Sequence, residues 1–354
     1  MAWQGIEGHD EVVDRFRTAL ARGRLASTFL FVGPKGVGKH TFALRLAQAL
    51  LCQARPAEAL DPCGTCPSCQ QVAAGTHPDL LRVAKPADKS FIPVEAFIGS
   101  KEKRMQEGLC RDISLKPFMG GRRVAIIDDA DYLNEEGANC LLKTLEEPPD
   151  RSLMILIGTA ADRQLPTIRS RAQIVRFRPL PAAVIVELLI AGGLVAERSR
   201  AEQLAHDSGG SLEQAAALAD PALAPFRDVL LAKLEEGSFD NVGFAKTLAA
   251  FVDEAGKEAS ARRARMRQVI GFAAEFYREL LRTLAGAEAV NGQERAEVAR
   301  AAASGRFDSV DVALLVDRCL EALGQVERNA NQSTLLECWT DDLSQLAGAQ
   351  ATAN

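Results

Sequence analysis

The sequence predicts an α/β domain built on a parallel β-sheet, followed by a small helical unit and an all-α C-terminal region. Three observations predict this class. Short apolar strands alternate with helical patterns as far as Phe177, a glycine-rich loop joins the first strand to a helix, and strand signals cease after Pro179. Alternation of this kind is typical of βαβ units, whose strands lie parallel.

The elements of the α/β region are predicted from hydrophobic periodicity and from start and stop residues. Helices are predicted over residues 9–22, 41–51, 93–110 and 134–147, and strands over residues 27–32, 80–83, 122–131, 152–160 and 173–177. Asn134 is the predicted N-cap of its helix, which Pro148 ends. Residues 181–219 follow as a small helical unit and 221–346 as a set of longer helices.

Composition limits where the protein acts. The formal net charge is −5, so no overall basic field draws the chain to nucleic acid or to anionic lipid. No apolar run is long enough to cross a bilayer. The N-terminal residues lack the basic start and the apolar core of a signal peptide. We therefore expect a cytoplasmic protein without membrane contact, in which the eight cysteines serve as metal ligands or buried thiols rather than disulfides.

The loop GPKGVGK, residues 33–39, has the spacing of a phosphate-binding loop, in which backbone N–H groups and a helix N-terminus surround phosphate groups. The loop residues predicted to hold phosphate are Gly33, Gly36, Gly38 and Lys39. The pattern then requires Ser or Thr, whose hydroxyl binds Mg²⁺, but His40 stands there. Thr41 has a hydroxyl, yet one residue further along a helix it is turned about 100° away.

Two acids end the strand predicted over 122–131. Asp128 suits the metal-side carboxylate of a nucleotide site, and Asp129 follows at the position where ATPases of this kind usually carry a water-orienting Glu. Acid pairs at strand ends are otherwise common as helix caps. Their order after the glycine loop favours a nucleotide site.

Four cysteines, Cys52, Cys63, Cys66 and Cys69, lie close together in the chain. Thiolates at such spacing in a cytosolic protein predict a tetrahedral structural zinc site. The alternative, four unrelated buried thiols, does not explain why they cluster among Pro, Gly, Thr and Ser. Four protein ligands leave no open position, so the metal is predicted to be structural.

Two arginines, Arg169 and Arg171, precede the last predicted strand. Arginines at such a position are usually solvated surface groups. They could also act as an arginine finger, which reaches a neighbouring subunit's phosphate. Spacing alone leaves both interpretations open.

Together these motifs resemble one family. The glycine loop, the cysteine quartet followed by GTHPD (75–79), NCLLKTLEEPP (139–149) and SRA (170–172) are similar to those of the AAA+ subunits of bacterial DNA polymerase III clamp loaders. LLKTLEEPP is highly specific and the glycine loop much less so. The motifs that carry the resemblance lie in residues 1–220. For the remainder of the chain the resemblance rests on the helical pattern alone.

The resemblance implies roles for individual residues. Lys39 matches the phosphate-loop lysine, Asp128 the metal-side acid and Thr159 the sensor of the γ-phosphate. Arg171 matches the arginine of the family's Ser-Arg-Cys motif, which acts in trans on the adjacent motor subunit. Ala172 replaces the Cys of that motif but leaves the arginine intact.

Three positions depart from the hydrolysing members of the family. They are His40, the shortened Asp129, and Glu213 with Gln214 where a second sensor arginine is expected. The departures predict a non-hydrolysing subunit whose own ATPase activity is absent and for which ATP is a vestigial ligand. The alternative is an active ATP-hydrolysing motor subunit of the gamma/tau type.

The resemblance also implies an organisation and partners. Residues 1–178 would form the nucleotide-fold domain, with the zinc module at 52–69. Residues 179–219 would form a helical lid, 220–346 a helical collar and 347–354 a loose tail. Expected partners are the gamma/tau and delta subunits and, through the assembly, the sliding clamp and primed DNA.

One further class is a zinc-bearing nucleic-acid binder outside replication. The net acidity and the absence of an aromatic and basic stripe speak against it.

Overall fold

We describe the protein from a computed structural model. The structure describes residues 3–86, 88–119, 121–221, 223–237, 240–287 and 296–348, so residues 349–354 of the tail predicted to be loose lie outside it. The chain divides into two compact units, Met1–Ala219 and Asp220–Asn354. The boundary predicted between nucleotide-fold domain and lid lies inside the first unit and stays a prediction.

The first unit contains a five-stranded sheet, all of it parallel, with strand order β2-β3-β4-β1-β5. The strands are β1 (Thr28–Val32), β2 (Leu80–Val83), β3 (Arg123–Ile127), β4 (Ser152–Ile157) and β5 (Gln173–Arg176). The three inner strands β3, β4 and β1 are buried at every residue, as expected for apolar strands of a parallel sheet. This sheet, with the helices around and after it, confirms the predicted fold class.

Ten α-helices lie in the described residues of the first unit. They are α1 (Asp10–Ala21), α2 (Lys39–Leu51), α3 (Pro67–Ala74), α4 (Glu95–Ile98), α5 (Leu109–Ile113), α6 (Glu135–Glu146), α7 (Pro166–Arg169), α8 (Ala182–Ala191), α9 (Arg198–Asp207) and α10 (Leu212–Leu218). Asn134 caps α6 as predicted, because its side chain accepts a hydrogen bond from the Gly137 N–H.

The helix predicted over 93–110 is wrong as a single element. The structure has the short helices α4 and α5 instead, joined by a compact loop. Gly99, Met105 and Gly108 all have positive φ values there, which a right-handed helix does not allow. The loop closes on itself through a hydrogen bond from the Met105 N–H to the Ile98 carbonyl.

An aromatic cluster holds α1, β1 and α2 together beneath the glycine loop. Ring centroids in neighbouring pairs lie 4.9 to 6.3 Å apart. Its members are Phe16, Phe29, Phe31, Phe42 and Phe177. Each pair of this geometry adds roughly 1 kcal/mol beyond its buried area. The cluster therefore gives the loop a rigid base.

The second unit is all helical in the residues that the structure describes. Its helices are α11 (Leu223–Glu236), α12 (Asn241–Asp253), α13 (Ala259–Leu284), α14 (Ala296–Ala303), α15 (Ser309–Glu327) and α16 (Gln332–Gly348). Tyr277 and Trp339 are completely buried in its core. No described helix of either unit combines the length and the apolar character that a membrane span requires.

Candidate functional site

Three connections meet at the carboxyl end of the sheet. The glycine loop follows β1, Asp128 follows β3 and Thr159 follows β4. The Gly33 N–H donates to the Thr159 carbonyl, at 3.0 Å, which ties two of these connections together. They come together because parallel neighbours present their carboxyl ends at one edge of the sheet.

The glycine loop packs closely against the rest of the unit. Gly36 has φ +73°, and a Cβ atom there would lie 2.2 Å from Ser211 Oγ and 2.6 Å from Glu213 Cβ. The Leu212 N–H donates to the Gly36 carbonyl, at 3.0 Å. Glycine is therefore required because the start of α10 touches the loop. This contact brings Glu213 beside the loop, where the family's second sensor arginine is expected.

Lys39 is turned onto its own loop. Its Nζ donates to the carbonyls of Gly33 and Pro34, each at 2.6 Å. Burial lowers the pKa of this ammonium group, while Asp128, Asp131 and Glu213 act in the opposite direction. The loop cation thus has partners within the chain.

His40 occupies the position of the missing hydroxyl and contacts Asp128, the predicted metal-side acid. Its Nδ1 lies 2.7 Å from Asp128 Oδ2, in a close polar contact that is not aligned as a hydrogen bond. Burial raises the pKa of Asp128, but His40, the Asp129 N–H and Lys39 outweigh it and leave the pKa below its ordinary value. An imidazole nitrogen against the carboxylate does not fit Mg²⁺, which prefers oxygen ligands in octahedral geometry. Thr41, one residue on, is exposed.

Asp129 follows in a left-handed backbone conformation, with φ 55°. Burial and the neighbouring Asp128 raise the pKa of its carboxyl group, and Lys35 and Lys85 oppose the rise. Both lysines also lie over the Tyr132 ring, with Nζ 5.9 and 5.1 Å from its centroid. Two cations of the same chain, Lys35 and Lys85, thus act on Asp129.

Asp131 is a site residue that sequence reasoning missed. Its carboxylate accepts hydrogen bonds from the Thr159 N–H and, at 2.6 Å, from the Thr159 hydroxyl. It also accepts one from Gln164 Nε2. The predicted sensor hydroxyl is therefore bound to an acid after β3. The run DDAD offered the signal, since it places a third acid just beyond the predicted pair.

Arg171 follows the end of α7. Its guanidinium contacts the last residue of α6, Glu146. Nη2 donates to Glu146 Oε1 at 2.5 Å, and Nη1 donates to the Thr167 carbonyl at 3.0 Å and to Ser170 Oγ at 3.1 Å. The side chain remains 32% exposed. It is accessible from outside the chain, whereas Lys39 of the glycine loop is buried.

The cysteine quartet forms a cluster that could hold a metal ion. The sulfur atoms of Cys52, Cys63, Cys66 and Cys69 all lie within 4.8 Å of one another. The Cys63 and Cys69 sulfurs are 3.9 Å apart, close to the roughly 3.8 Å edge of a tetrahedron with zinc–sulfur bonds of about 2.3 Å. The N–H groups of Cys66 and Thr65 lower the pKa of Cys63 to about 6, whereas burial raises that of Cys69 to about 12. The residues fit a structural zinc ion.

A buried network attaches this cluster to the sheet. Ser68 Oγ donates to the Leu51 carbonyl at 2.5 Å and accepts from His77 Nε2 at 2.8 Å, while His77 Nδ1 accepts from the Asp79 N–H. Burial lowers the pKa of His77, which agrees with a neutral ring in this tautomer. The carboxylate of Asp79, fully buried, accepts from the N–H groups of Phe118 and Met119. The GTHPD motif is thus a structural connector.

Fold and site together define a nucleotide-fold α/β protein with an attached cysteine cluster. Residues 8–181 match the family described as DNA polymerase III, delta subunit. Over this segment, about half of its length, the chain is similar to subunits of the DNA polymerase III clamp loader.

Curated relatives share this assignment. The chain is 38% identical over 195 residues to DNA polymerase III subunit delta′ of Pseudomonas aeruginosa, which covers 54% of this chain and 55% of the relative. It is 32% identical over 191 residues to subunit delta′ of Bacillus subtilis, 54% of each chain. Subunit tau of Escherichia coli matches at 31% identity over 62% of this chain and 32% of its own length. The chain thus spans about half the length, or less, of these relatives.

Solved structures give a more distant likeness. The Holliday junction branch migration motor RuvB of Thermotoga maritima is 16% identical, with a TM-score of 0.41 over 99% of this chain and 90% of its own. A gamma subunit-related protein of DNA polymerase III from the same organism is 14% identical, with a TM-score of 0.38 over 94% and 99%. At TM-scores below 0.5 these likenesses support no functional conclusion.

Proposed function

We propose that this chain is a non-hydrolysing, delta-prime-type subunit of a bacterial replicative clamp loader. It would help to open the sliding clamp and to load it on primed DNA. The contact of His40 with Asp128 supports this most, because it puts imidazole where a hydrolysing site needs an Mg²⁺ ligand. The delta′ relatives support the same assignment by name.

Two further positions agree with the proposal. Asp129 is shorter than the usual Glu and two cations act on it, and Glu213 brings an acid to the glycine loop. An acid there would repel a triphosphate. Gly33, Gly36, Gly38, Lys39 and Thr159 would then form an inherited fold element, and nucleotide would be at most a vestigial ligand.

Arg171 is proposed to act in trans as an arginine finger on the adjacent gamma/tau-type subunit. The partial exposure of its side chain supports this role. The cysteine cluster is proposed to hold one structural Zn²⁺. Residues 179–219 would form the lid and 220–346 the collar that joins this chain to gamma/tau and delta subunits in the cytoplasm.

The test is Arg171→Ala in a reconstituted clamp loader in which turnover at the adjacent site is measured alone. The complex should assemble, and ATP turnover at that site should fall by roughly 10³-fold. Arg169→Ala is the matched comparison, since Arg169 is the nearest exposed arginine. If the loss appears with Arg169→Ala and not with Arg171→Ala, the role belongs to Arg169. Normal turnover in both variants would refute a finger from this chain.

An active motor subunit of the gamma/tau type is the second candidate. Gamma/tau relatives match a longer part of this chain than the delta′ relatives do, 62–63% against 54%. The three altered positions oppose it, and ATPase activity of the isolated chain would distinguish the two.

A further inference from the structure

Glu146 and Arg171 bring together two separate motifs of the sequence. Glu146 is the first acid of LEEPP, and Arg171 belongs to SRA, 25 residues later. Their charged groups meet at 2.5 Å, between Oε1 and Nη2. The contact therefore depends on the tertiary structure and does not arise between neighbouring residues of one helix.

The two ends of the contact differ in how firmly they are held. Glu146 is the last residue of α6, which is anchored in the core by the buried side chains of Leu141 and Leu145. Arg171 lies beyond the last residue of α7, outside any helix or strand. A long side chain on such a segment samples many rotamers unless something fixes it. The carboxylate on the rigid helix supplies that constraint.

Hydrogen bonding fixes the guanidinium on one side. Three of its five N–H groups are used within the chain, by Glu146, by the Thr167 carbonyl and by Ser170 Oγ. In the part of the chain that the structure describes, the Nε–H and the second Nη2–H have no acceptor. These two donors remain available to an acceptor from outside the chain, and guanidinium N–H groups bind phosphate oxygens well.

Stability is not what this ion pair provides. The Glu146 side chain is 51% exposed, and exposed ion pairs contribute little to the free energy of unfolding. The ion pair can instead matter for the orientation of Arg171. A small misplacement of a group that stabilises a transition state lowers the reaction rate by a large factor.

We propose that Glu146 is a positioning residue that orients Arg171 towards the terminal phosphate of a nucleotide bound to the adjacent subunit. This inference rests on the proposed function, in which Arg171 acts in trans. Glu146 does not touch the nucleotide and acts only through the arginine.

The experiment uses the reconstituted loader, with ATP turnover measured at the adjacent site alone. The variants are Glu146→Gln, Arg171→Ala, the double variant and, as matched control, Glu147→Gln. Glu147 is the next acid and is also exposed. Glu146→Gln should lower kcat roughly tenfold and leave KM for ATP unchanged, because a neutral amide holds the guanidinium less firmly than a carboxylate does, while ATP binding is not affected. Glu147→Gln should keep the wild-type kcat, and the double variant should equal Arg171→Ala.

Three results would overturn the positioning role. One is a kcat for Glu146→Gln within about twofold of wild type while Arg171→Ala is strongly impaired. A second is a higher kcat, which would mean that Glu146 restrains the arginine. The third is a further loss from Glu146→Gln in the Arg171→Ala background. Normal turnover in Arg171→Ala would refute the finger itself and the positioning role with it.

Discussion

His40 lies against Asp128, with 2.7 Å between Nδ1 and Oδ2. Arg82 Nη2 approaches the other ring nitrogen, at 3.4 Å. The imidazole thus joins the acid after β3 to a cation on β2, across the place where a hydrolysing relative would hold Mg²⁺. Lys39 is bound to carbonyls of its own loop in the same region. Lys39 and Asp128 therefore have partners within the chain, while the contact at His40 Nδ1 is close but not aligned as a hydrogen bond.

Replacing His40 tests what this contact does. His40→Thr should introduce Mg²⁺-dependent nucleotide binding, because it removes the imidazole and adds a hydroxyl ligand. Affinity with Mg²⁺ should exceed affinity with a chelator by roughly tenfold, as calorimetric titration would measure. Thr41→Ser, at the exposed next residue, should behave as wild type. Equal affinity with and without Mg²⁺ in His40→Thr would contradict the explanation.

The cysteine cluster predicts about one zinc ion per chain. Metal analysis of protein purified without chelator measures it. Cys66→Ser/Cys69→Ser should abolish the zinc content, since two of the four sulfurs are lost. Cys338→Ser is the control, because Cys338 is exposed and lies in the second unit. A zinc content near zero in wild type, or one unchanged in the double variant, would refute the assignment.

The buried position of Asp79 predicts that its substitution will strongly destabilise the first unit. Its buried carboxylate accepts two backbone N–H groups, and its Oδ1 lies 3.4 Å from Nε of Arg123, itself 11% exposed. Asp79→Asn should lower the free energy of unfolding of the first unit by roughly 3 kcal/mol, because it leaves a buried cation without its counter-charge. Urea unfolding, followed by Trp3 fluorescence in a Trp339→Phe background, measures it.

The matched control for this prediction is Asp112→Asn. Asp112 pairs with the adjacent Arg111 at 3.5 Å, and both side chains are solvent-accessible. Exposed pairs contribute at most about 1 kcal/mol, so this variant should change little. An effect of Asp79→Asn as small as that of the control would show that the buried pair is unimportant.

His77 predicts an acid-sensitive step in stability. Burial lowers its pKa in the folded protein, so below about pH 6.5 the unfolded chain binds a proton that the folded chain does not. The contribution is fully present above that pH and is lost as the pH falls. Between pH 7.5 and 5.5, His77→Gln should lose less stability than wild type, by up to about 1 kcal/mol. Identical losses in both proteins would exclude His77 as the source.

Much of the fold was predictable because local signals agreed with the tertiary structure. The apolar runs became β3 and β4, and Asn134 caps α6. The helix predicted over 93–110 failed because its apolar spacing was judged without the backbone requirements of Gly99 and Gly108, both at positive φ.

The site residues that could be predicted were those whose place in a sequence motif indicates a role. Lys39, His40 and Asp128 do gather at one edge of the sheet. Asp131 and Glu146 were missed, because each acts on a residue 25 or more positions away. The run DDAD displays a third acid, but the partners of Asp131 and Glu146 are set by the crossing of strands and helices, which no local pattern of the sequence encodes.

Steady-state ATPase of the isolated chain, freed of other loader subunits, tests the central claim most directly. Wild type should turn over ATP no faster than background, because His40, Asp129 and Glu213 all depart from a hydrolytic site. His40→Thr should not restore turnover either, since parts that act as a unit are strongly non-additive and two defects remain. Lys39→Ala supplies the baseline. Turnover by wild type alone that Lys39→Ala abolishes would show that this chain is a motor, and would contradict the account.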